Sequence, residues 1–482
     1  MSQSISFSKK VGNAAKWSIL GEIIAKLIGP ITNMILARVL VPEAFGVVAT
    51  VNMIISFADM FTDSGFQKYL VQHEFKSNKD KIQSTNVAFW TNLAISIILW
   101  GIIVIFRNPI ASLVGNPGLG HVIALSCIQL PITSFSSIQM ALYRRSFDFK
   151  TLFWIRIITA LIPLLITVPL AINKFSYWSL IIGSTIGLLV KSIILTMKSE
   201  WKPSLFYSIK ILRNMISFSM WSLFEAISIW LTSWIDTIII GNVLNQYYLG
   251  LYKNSLNMVN SIMGIITASI TSVLFSSLSR LQNDEDKFNE MYFNFQKTVA
   301  YIVLPLGVGI FLYRDLVTQI LLGSKWSEAS NIIGIWSLTS CIMICTSNLE
   351  SEVYRSKGKP KLSLFSQIIH LMFLVPTCLI SLNYGFWSLV YSRALIRLQS
   401  VLVGFIIMNN IIKIKPRDII ENISKPVLYT LIMSIVSLLL SKVSSGIWWD
   451  IISIVVCIIT YFAILLVFEW EELNKLIMKF KN

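Results

Sequence analysis

Residues 17–46 read WSILGEIIAKLIGPITNMILARVLVPEAFG, and residues 221–250 read WSLFEAISIWLTSWIDTIIIGNVLNQYYLG. The two stretches align without a gap at a constant shift of 204 (221 − 17). Trp17-Ser18 meets Trp221-Ser222, Ile23 meets Ile227, Leu27 meets Leu231, Ile31 meets Ile235, and Ile35 meets Ile239. Val39-Leu40 meets Val243-Leu244 and Gly46 meets Gly250, so nine of thirty positions agree. Each stretch carries an apolar run long enough to cross a bilayer, for which about 20 residues suffice. Further landmarks recur in the same order with small insertions: Arg107 and Arg314 before an apolar turn, Tyr143-Arg144 and Tyr354-Arg355, then Trp178-Ser179-Leu180 and Trp387-Ser388-Leu389. The pattern predicts that spans one to six repeat as spans seven to twelve, with two more after them. Six is even, so both copies start on the same side and are expected to be related by an axis along the membrane normal.

Composition supports spans along the whole length. The chain has 482 residues, 55% of them apolar and only 13% charged, where a soluble protein carries about 25% charge. Spans are predicted at 17–40, 46–68, 85–106, 119–142, 151–171, 176–197, 216–240, 249–278, 298–313, 329–353, 362–381, 386–410, 426–442 and 447–468. They must be helices, because hydrocarbon offers no partner to an unpaired backbone amide. The expected fold class is therefore an all-α integral membrane protein of about fourteen transmembrane helices. Its predicted parts are an N-lobe over 1–205, a C-lobe over 206–411, and two C-terminal helices over 412–482.

The net charge of +16 is not a nucleic-acid footprint, because of where it sits. Lys9, Lys10 and Lys16 precede the first span; Lys68, Lys76, Lys79 and Lys81 follow the second; Arg144, Arg145 and Lys150 follow the fourth. The same holds after the sixth, eighth, tenth and twelfth spans, and Lys475, Lys479 and Lys481 follow the last. The intervening gaps hold little beyond Arg107, Lys174, Arg314, Lys325 and Lys442. That alternation is the positive-inside pattern, and it predicts both termini in the cytoplasm. Cys127, Cys341, Cys345, Cys378 and Cys457 all fall in apolar runs without metal-ligand spacing, so neither disulfides nor a metal site is expected. No cleavable signal peptide is expected, since the first apolar run carries Glu22 and Lys26.

Ionisable residues within spans are costly and mark wet cavities or partners. Helix one aligns Glu22, Lys26, Gly29 and Asn33 on one face, and helix two aligns Asn52, Ser56, Asp59 and Asp63. Helix seven aligns Glu225, Thr232 and Asp236; helix eight aligns Lys253, Asn257, Asn260, Gly264 and Thr267. These are the same two helices of each repeat, the arrangement a central cavity needs. Arg156 lies early in helix five, and Arg393 and Arg397 sit one turn apart in helix twelve. Two such cations repel unless an anion or carboxylate lies near. Blander readings stand beside these. Glu22 and Lys26 are spaced to pair with each other, Glu350 and Glu352 read as rim residues near a cytoplasmic end, and His370 reads as a helix–helix hydrogen bond.

The run Leu36-Ala37-Arg38-Val39-Leu40-Val41-Pro42-Glu43-Ala44-Phe45-Gly46, with Phe61-Thr62-Asp63-Ser64-Gly65-Phe66 and Val71-Gln72, resembles the polysaccharide transporters of the MOP superfamily. The nearest likeness is to Wzx-type lipopolysaccharide and exopolysaccharide flippases, including the colanic-acid and teichuronic-acid branch. The resemblance implies a V-shaped pair of six-helix lobes in a bacterial inner membrane. It also implies alternating-access movement of an undecaprenyl-diphosphate-linked oligosaccharide from the cytoplasmic to the periplasmic leaflet. No enzymatic role and no cofactor is implied beyond a proton or sodium gradient. The expected partners are the lipid-linked oligosaccharide, membrane lipid, and a polymerase and glycosyltransferases.

The family offers no catalytic motif to carry over, so the candidate site comes from the charged stripes. Lys26, Arg156, Lys253, Arg393 and Arg397 are expected to contact diphosphate, with Asn33, Asn257 and Asn260 on sugars. Glu22, Asp59, Glu225 and Asp236 are the candidate ion- or proton-coupling carboxylates. The competing readings are a multidrug/cation antiporter or a peptidoglycan-precursor flippase of the same superfamily, and, from another class, a membrane polysaccharide polymerase or ligase. The last would need a sizeable outer loop with catalytic groups, and every predicted outer loop is short.

Overall fold

The computed structural model describes residues 17, 21, 24–63 and 66–470, without the side chains of 63, 217–225, 268–273 and 276. The described chain is helical from end to end, with no strand among the described residues. Residues 24–39 form α1. There follow α2 (Pro42–Asp63), α3 (Phe66–Gln72), α4 (Asn78–Ile105), α5 (Arg107–Leu113), α6 (Gly120–Ser126), α7 (Gln129–Arg145), α8 (Phe149–Ile172), α9 (Tyr177–Lys198) and α10 (Ile209–Val243). Then come α11 (Gln246–Arg280), α12 (Glu285–Leu312), α13 (Arg314–Leu321), α14 (Ala329–Met343), α15 (Leu349–Ser356), α16 (Lys361–Leu382), α17 (Phe386–Ile396), α18 (Gln399–Ile407), α19 (Pro416–Val443) and α20 (Ile447–Phe468). Pairs such as α6–α7, α14–α15 and α17–α18 run on as single spans.

Twelve helices or helix pairs among the described residues are long and apolar enough to cross a membrane, which makes this a multi-pass membrane protein. The difference from fourteen has two sources. The first predicted span lies only partly in the described residues. The eighth is the continuous 35-residue α11, whose described part is made too polar to qualify by Lys253, Asn254, Asn257 and Asn260. Several helices also begin earlier than hydropathy predicts. α4 starts at Asn78 because the Ser77 hydroxyl accepts from the Asp80 amide at 3.1 Å, and α12 starts at Glu285 because Asp284 accepts from the Lys287 amide at 3.1 Å. α19 starts at Pro416, with proline in its first turn. Hydropathy marks where hydrocarbon begins, whereas caps mark where the helix begins.

The repeat is written into the backbone as well as the letters. α4 and α12 are each 28 residues and are followed by short helices that start on Arg107 and Arg314. Three pairs of residues then take positive φ at matching places: Gly115 (72°) and Gly323 (91°), Phe147 (59°) and Gly358 (68°), Ser176 (47°) and Gly385 (96°). The middle pair closes the same C-cap in both copies. Asp148 N donates to Tyr143 O at 3.0 Å and Lys359 N donates to Tyr354 O at 2.8 Å, in the double-bonded form that ends helices on a left-handed residue. Packing partners match too: α4 on α7 and α12 on α14, α8 on α9 and α16 on α17.

The helices gather into two compact units, Met1–Asn254 and Ser255–Asn482. This division follows packing, whereas the predicted boundaries follow repeat phase. α10 opens the second copy yet packs on α2, α3 and α4. Within the first unit the two quoted stretches meet at their last residues. A Cβ on Gly46 would run into the carbonyl of Gln246, and a Cβ on Gly250 into the carbonyl of Pro42. Gln246 is Pro42 shifted by the same 204 positions, so the contact is reciprocal, as a local two-fold axis requires. Overpacking of this kind costs about 1–3 kcal/mol. Gly250→Val is therefore expected to lower the unfolding temperature of the detergent-solubilised protein, and an unchanged melt would show that α2 and α11 do not approach so closely.

α19 and α20 pack on α12 through Tyr429, Met433, Cys457, Tyr461 and Leu465, with Tyr301 and Tyr313 against them. Their other faces expose Leu431, Ile435, Leu438, Ile459 and Phe462. An apolar surface that extensive is at home in lipid. Beyond the end of α20, Glu469 accepts from Lys425 at 2.7 Å and from the Tyr429 hydroxyl at 3.1 Å, with Lys297 at 3.9 Å. Burial pushes its carboxyl up, but Lys425, Lys297 and Tyr429 together outweigh that and hold it below the ordinary glutamate value. A depressed carboxyl stabilises the fold above the unfolded value of about 4.3 and loses that contribution as pH falls through the folded value. Melting is therefore expected to weaken below about pH 4.3 in the wild type and less so in Glu469→Gln; parallel profiles would exclude the clamp. All five cysteines are free and buried.

Candidate functional site

The second unit gathers two arginines around one indole. Trp336, Thr339 and Ser340 lie on one face of α14 by their spacing of three and four. α17 packs against α14 and brings Arg393, which is 6% exposed, and, as the residue just after its end, Arg397, which is half-buried. The Arg397 guanidinium lies 3.9 Å from the Trp336 ring centroid and that of Arg393 5.4 Å. Arg397 also donates to the hydroxyls of Thr339 at 3.2 Å and Ser340 at 3.0 Å. Asn260 of α11 accepts from the Trp336 indole N–H at 3.0 Å. At Arg397 itself the helix tightens into i→i+3 bonds, with Ser400 N donating to Arg397 O at 3.0 Å and Val401 N to Leu398 O at 3.1 Å. Such a tightened turn inside a span is a common hinge.

In the sequence, two arginines one turn apart require an anion or a carboxylate nearby. Part of what the structure supplies instead is an aromatic face, which draws cations by about 0.5–2 kcal/mol each. Trp336 escapes a reading of the sequence because an aromatic residue in an apolar helix looks like core. The one signal for it is its register with Thr339 and Ser340. His370 stands beside this cluster, 3.3 Å from Gln399 Oε1 and 3.2 Å from the Ser400 hydroxyl. It is the helix–helix hydrogen bond the sequence anticipates, here between α16 and α18.

In the first unit the structure joins two candidates to which the sequence gives different roles. Lys253, 8% exposed, donates to Asp236 Oδ1 at 3.1 Å and to the Ser233 carbonyl at 2.8 Å. It also lies 4.6 Å from the Trp234 ring centroid. Asp236, 1% exposed, accepts in addition from the Thr237 amide at 2.7 Å and the Tyr252 hydroxyl at 2.8 Å. Asn33 donates to Asn254 at 2.8 Å, joining α1 to the first turns of α11. Trp230 donates to the Ser56 hydroxyl at 3.1 Å and Asp59 is half-buried one turn further along α2.

The remaining candidates do not join either cluster as neatly. Lys26 is half-buried on α1 and Arg156 is exposed on α8. Asn257 is exposed on α11, as is Asn260 despite its bond to Trp336. Glu22 lies outside the described residues, and the side chain of Glu225 does as well. Of the two glutamates read as rim residues, Glu352 bonds Arg355 at 3.3 Å and is 7% exposed. Glu350 does not fit that reading: it is 1% exposed and sealed among helices.

Comparison with known proteins gives this architecture relatives. The profile of a family described as polysaccharide biosynthesis protein matches residues 35–331. The succinoglycan biosynthesis transport protein ExoT of Rhizobium meliloti is 24% identical over 339 residues, 70% of this chain and 67% of that one. The teichuronic acid biosynthesis protein TuaB of Bacillus subtilis is 21% identical over 438 residues, 90% of this chain and 89% of that one. Among solved structures, the lipid II flippase MurJ in an inward closed conformation superposes with a TM-score of 0.79 at 15% identity, covering 94% of this chain and 99% of that one. At that identity the likeness speaks for the fold.

Proposed function

Because the chain belongs to the polysaccharide biosynthesis protein family, we propose that it moves an undecaprenyl-diphosphate-linked oligosaccharide repeat unit from the cytoplasmic to the periplasmic leaflet for surface polysaccharide assembly. It does so by alternating access rather than by catalysis. A diphosphate and several sugars must cross about 30 Å of hydrocarbon. Without a substitute for hydration an ionised group there is prohibitively costly. The observation that carries the reading is the Arg393–Trp336–Arg397 cluster. It places two forked donors, suited to bidentate contact with phosphate oxygens, on one rigid ring inside spanning helices.

In this reading Arg393 and Arg397 take the diphosphate, with Lys26, Arg156 and Lys253 as further cationic contacts along its path. Asn33, Asn257 and Asn260 bond sugar hydroxyls, while the polyprenyl tail stays in lipid. Glu22, Asp59, Glu225 and Asp236 are the coupling carboxylates, and a proton or sodium gradient drives the cycle. The protein sits in a bacterial inner membrane with both termini cytoplasmic. Its organisation is two repeats, 1–205 and 206–411, followed by 412–482, and it works beside glycosyltransferases and a polymerase. The test is reconstitution of the purified protein with undecaprenyl-diphosphate-linked oligosaccharide in vesicles, reading exposure of the glycan on the opposite face. Movement above empty vesicles, lost in Arg393→Ala and Arg397→Ala, is expected. A protein that moves the lipid no faster than empty vesicles overturns the reading.

A further inference from the structure

Glu350 is a buried carboxyl that neither the charged stripes nor the Trp336 cluster uses. It stands in the first turn of α15, directly after a five-residue π-helical turn over Ile344–Asn348. Among the described residues neither of its carboxyl oxygens has a hydrogen-bond partner. Its carboxyl rests on Gly404 of α18, where a Cβ would stand 2.8 Å from the carboxyl carbon. Gly404 is therefore the residue that leaves room for it.

The titratable groups around it carry no positive charge that meets it among the described residues. From α12 comes Tyr292, fully buried, whose hydroxyl also has no partner among the described residues. Tyr354, one turn along, points its hydroxyl at the Gly404 carbonyl at 3.5 Å. Cys345 lies in the π turn, with its carbonyl accepting from Gln296 at 3.1 Å. α18 has no titratable residue, and α16, which packs on α15, carries Lys361, Cys378 and His370, the last bonded to Gln399 and Ser400. Glu352 and Arg355 pair with each other. An ionised carboxylate in such a place costs several kcal/mol, and the neutral acid does not.

The residues on either side of Glu350 in sequence face elsewhere. Leu349 and Ser351, with Thr267, Val299, Ile344, Asn348 and Glu352, line an open cavity of ≈ 220 Å³ in this unit. A π turn holds its chain slightly unwound, and resolving it to α-helix rotates α15 by about one residue, roughly 100°. One residue is the step that separates Glu350 from the cavity wall. We propose that Glu350 is a proton carrier of the transport cycle, holding its proton while sealed on Gly404 and exchanging it through this cavity when the π turn relaxes. The proposal rests on the transport reading and adds to it a carboxyl that the sequence assigns to the rim.

Two measurements test it on the full-length protein. Infrared spectra of the purified wild type are expected to show a carbonyl band at the high-frequency edge of the carboxylic-acid range, as a protonated acid without hydrogen bonds gives. The band is lost in Glu350→Gln and moved or lost in Gly404→Ala, which crowds the carboxyl without removing it. In vesicles, an imposed proton gradient accelerates glycan movement by the wild type, and Glu350→Gln loses that acceleration. A wild type without the band overturns the proposal, as does a folded Glu350→Gln that answers the gradient like wild type. Should Glu350→Gln not fold, the wild-type band and the gradient response of Gly404→Ala decide in its place. A protein that moves no lipid-linked oligosaccharide under any gradient overturns the transport reading and this proposal together, whereas gradient-independent movement overturns this proposal alone.

Discussion

Trp336→Ala is expected to lose glycan movement and to destabilise the second unit by about 3–5 kcal/mol, the cost of deleting a large buried aromatic. Three losses combine at this one position. The ring leaves a cavity on α14, where Trp336 is only 5% exposed. Asn260 loses the indole N–H that it accepts at 3.0 Å. Arg393 and Arg397 lose the face that both approach, at 5.4 and 3.9 Å, and their mutual repulsion is then less offset. Trp336→Phe separates these effects. It keeps an aromatic face for the guanidinium groups and gives up the bond to Asn260, worth about 1 kcal/mol. Its stability should lie close to wild type and its transport well above that of the alanine variant. Thermal unfolding in detergent and glycan movement in vesicles read the two separately. Equal damage from Phe and Ala would mean that Trp336 acts through the indole N–H or its particular shape, and that the arginines do not depend on its π face.

The fold is legible because its signals are local and repeated. Apolar runs announce helices, and landmarks such as Arg107 and Arg314 or Tyr143-Arg144 and Tyr354-Arg355 fall at the same structural places in both copies. Even the Gly46–Gly250 correspondence has a spatial cause, since each glycine admits the carbonyl of the other stretch. What hydropathy misjudges is helix starts, set by Ser77, Asp284 and Pro416 rather than by where charge ends.

The site is legible in its residue types and less so in its pairings. Spacing along one helix identifies a stripe, but says nothing about what the neighbouring helix brings to it. Asp236 reads as a coupling carboxylate and Lys253 as a diphosphate contact, because the 17-residue separation between them spans a helix end and a turn. Counting back from Arg355 and Lys357 puts Glu350 at the rim. Depth in sequence is not burial, and the approach of Gly404 from another helix helps to seal it. Trp336 carries no charge to draw attention, so its part in holding two arginines cannot be read from one helix.

The Asp236–Lys253 pair offers the sharpest separation of scaffold from machinery. Breaking a buried pair by removing one partner costs about 3–5 kcal/mol, while replacing both with apolar residues of similar size is often neutral. Lys253→Met removes the countercharge of Asp236 and leaves a buried charge that Tyr252 and Thr237 bond but do not neutralise. Asp236→Leu leaves Lys253 on the Ser233 carbonyl and the Trp234 ring. Each single variant is therefore expected to melt well below wild type, and the double variant to recover most of the loss, with a coupling energy that a double-mutant cycle isolates. Transport then discriminates. If the pair only ties α10 to α11, the double variant regains glycan movement along with stability. If Lys253 meets diphosphate or Asp236 carries the coupling ion, the double variant folds like wild type and stays inactive. The second outcome is the expected one, because ionisable residues inside spans are costly and mark functional sites. A double variant as active as wild type would remove both residues from the transport path.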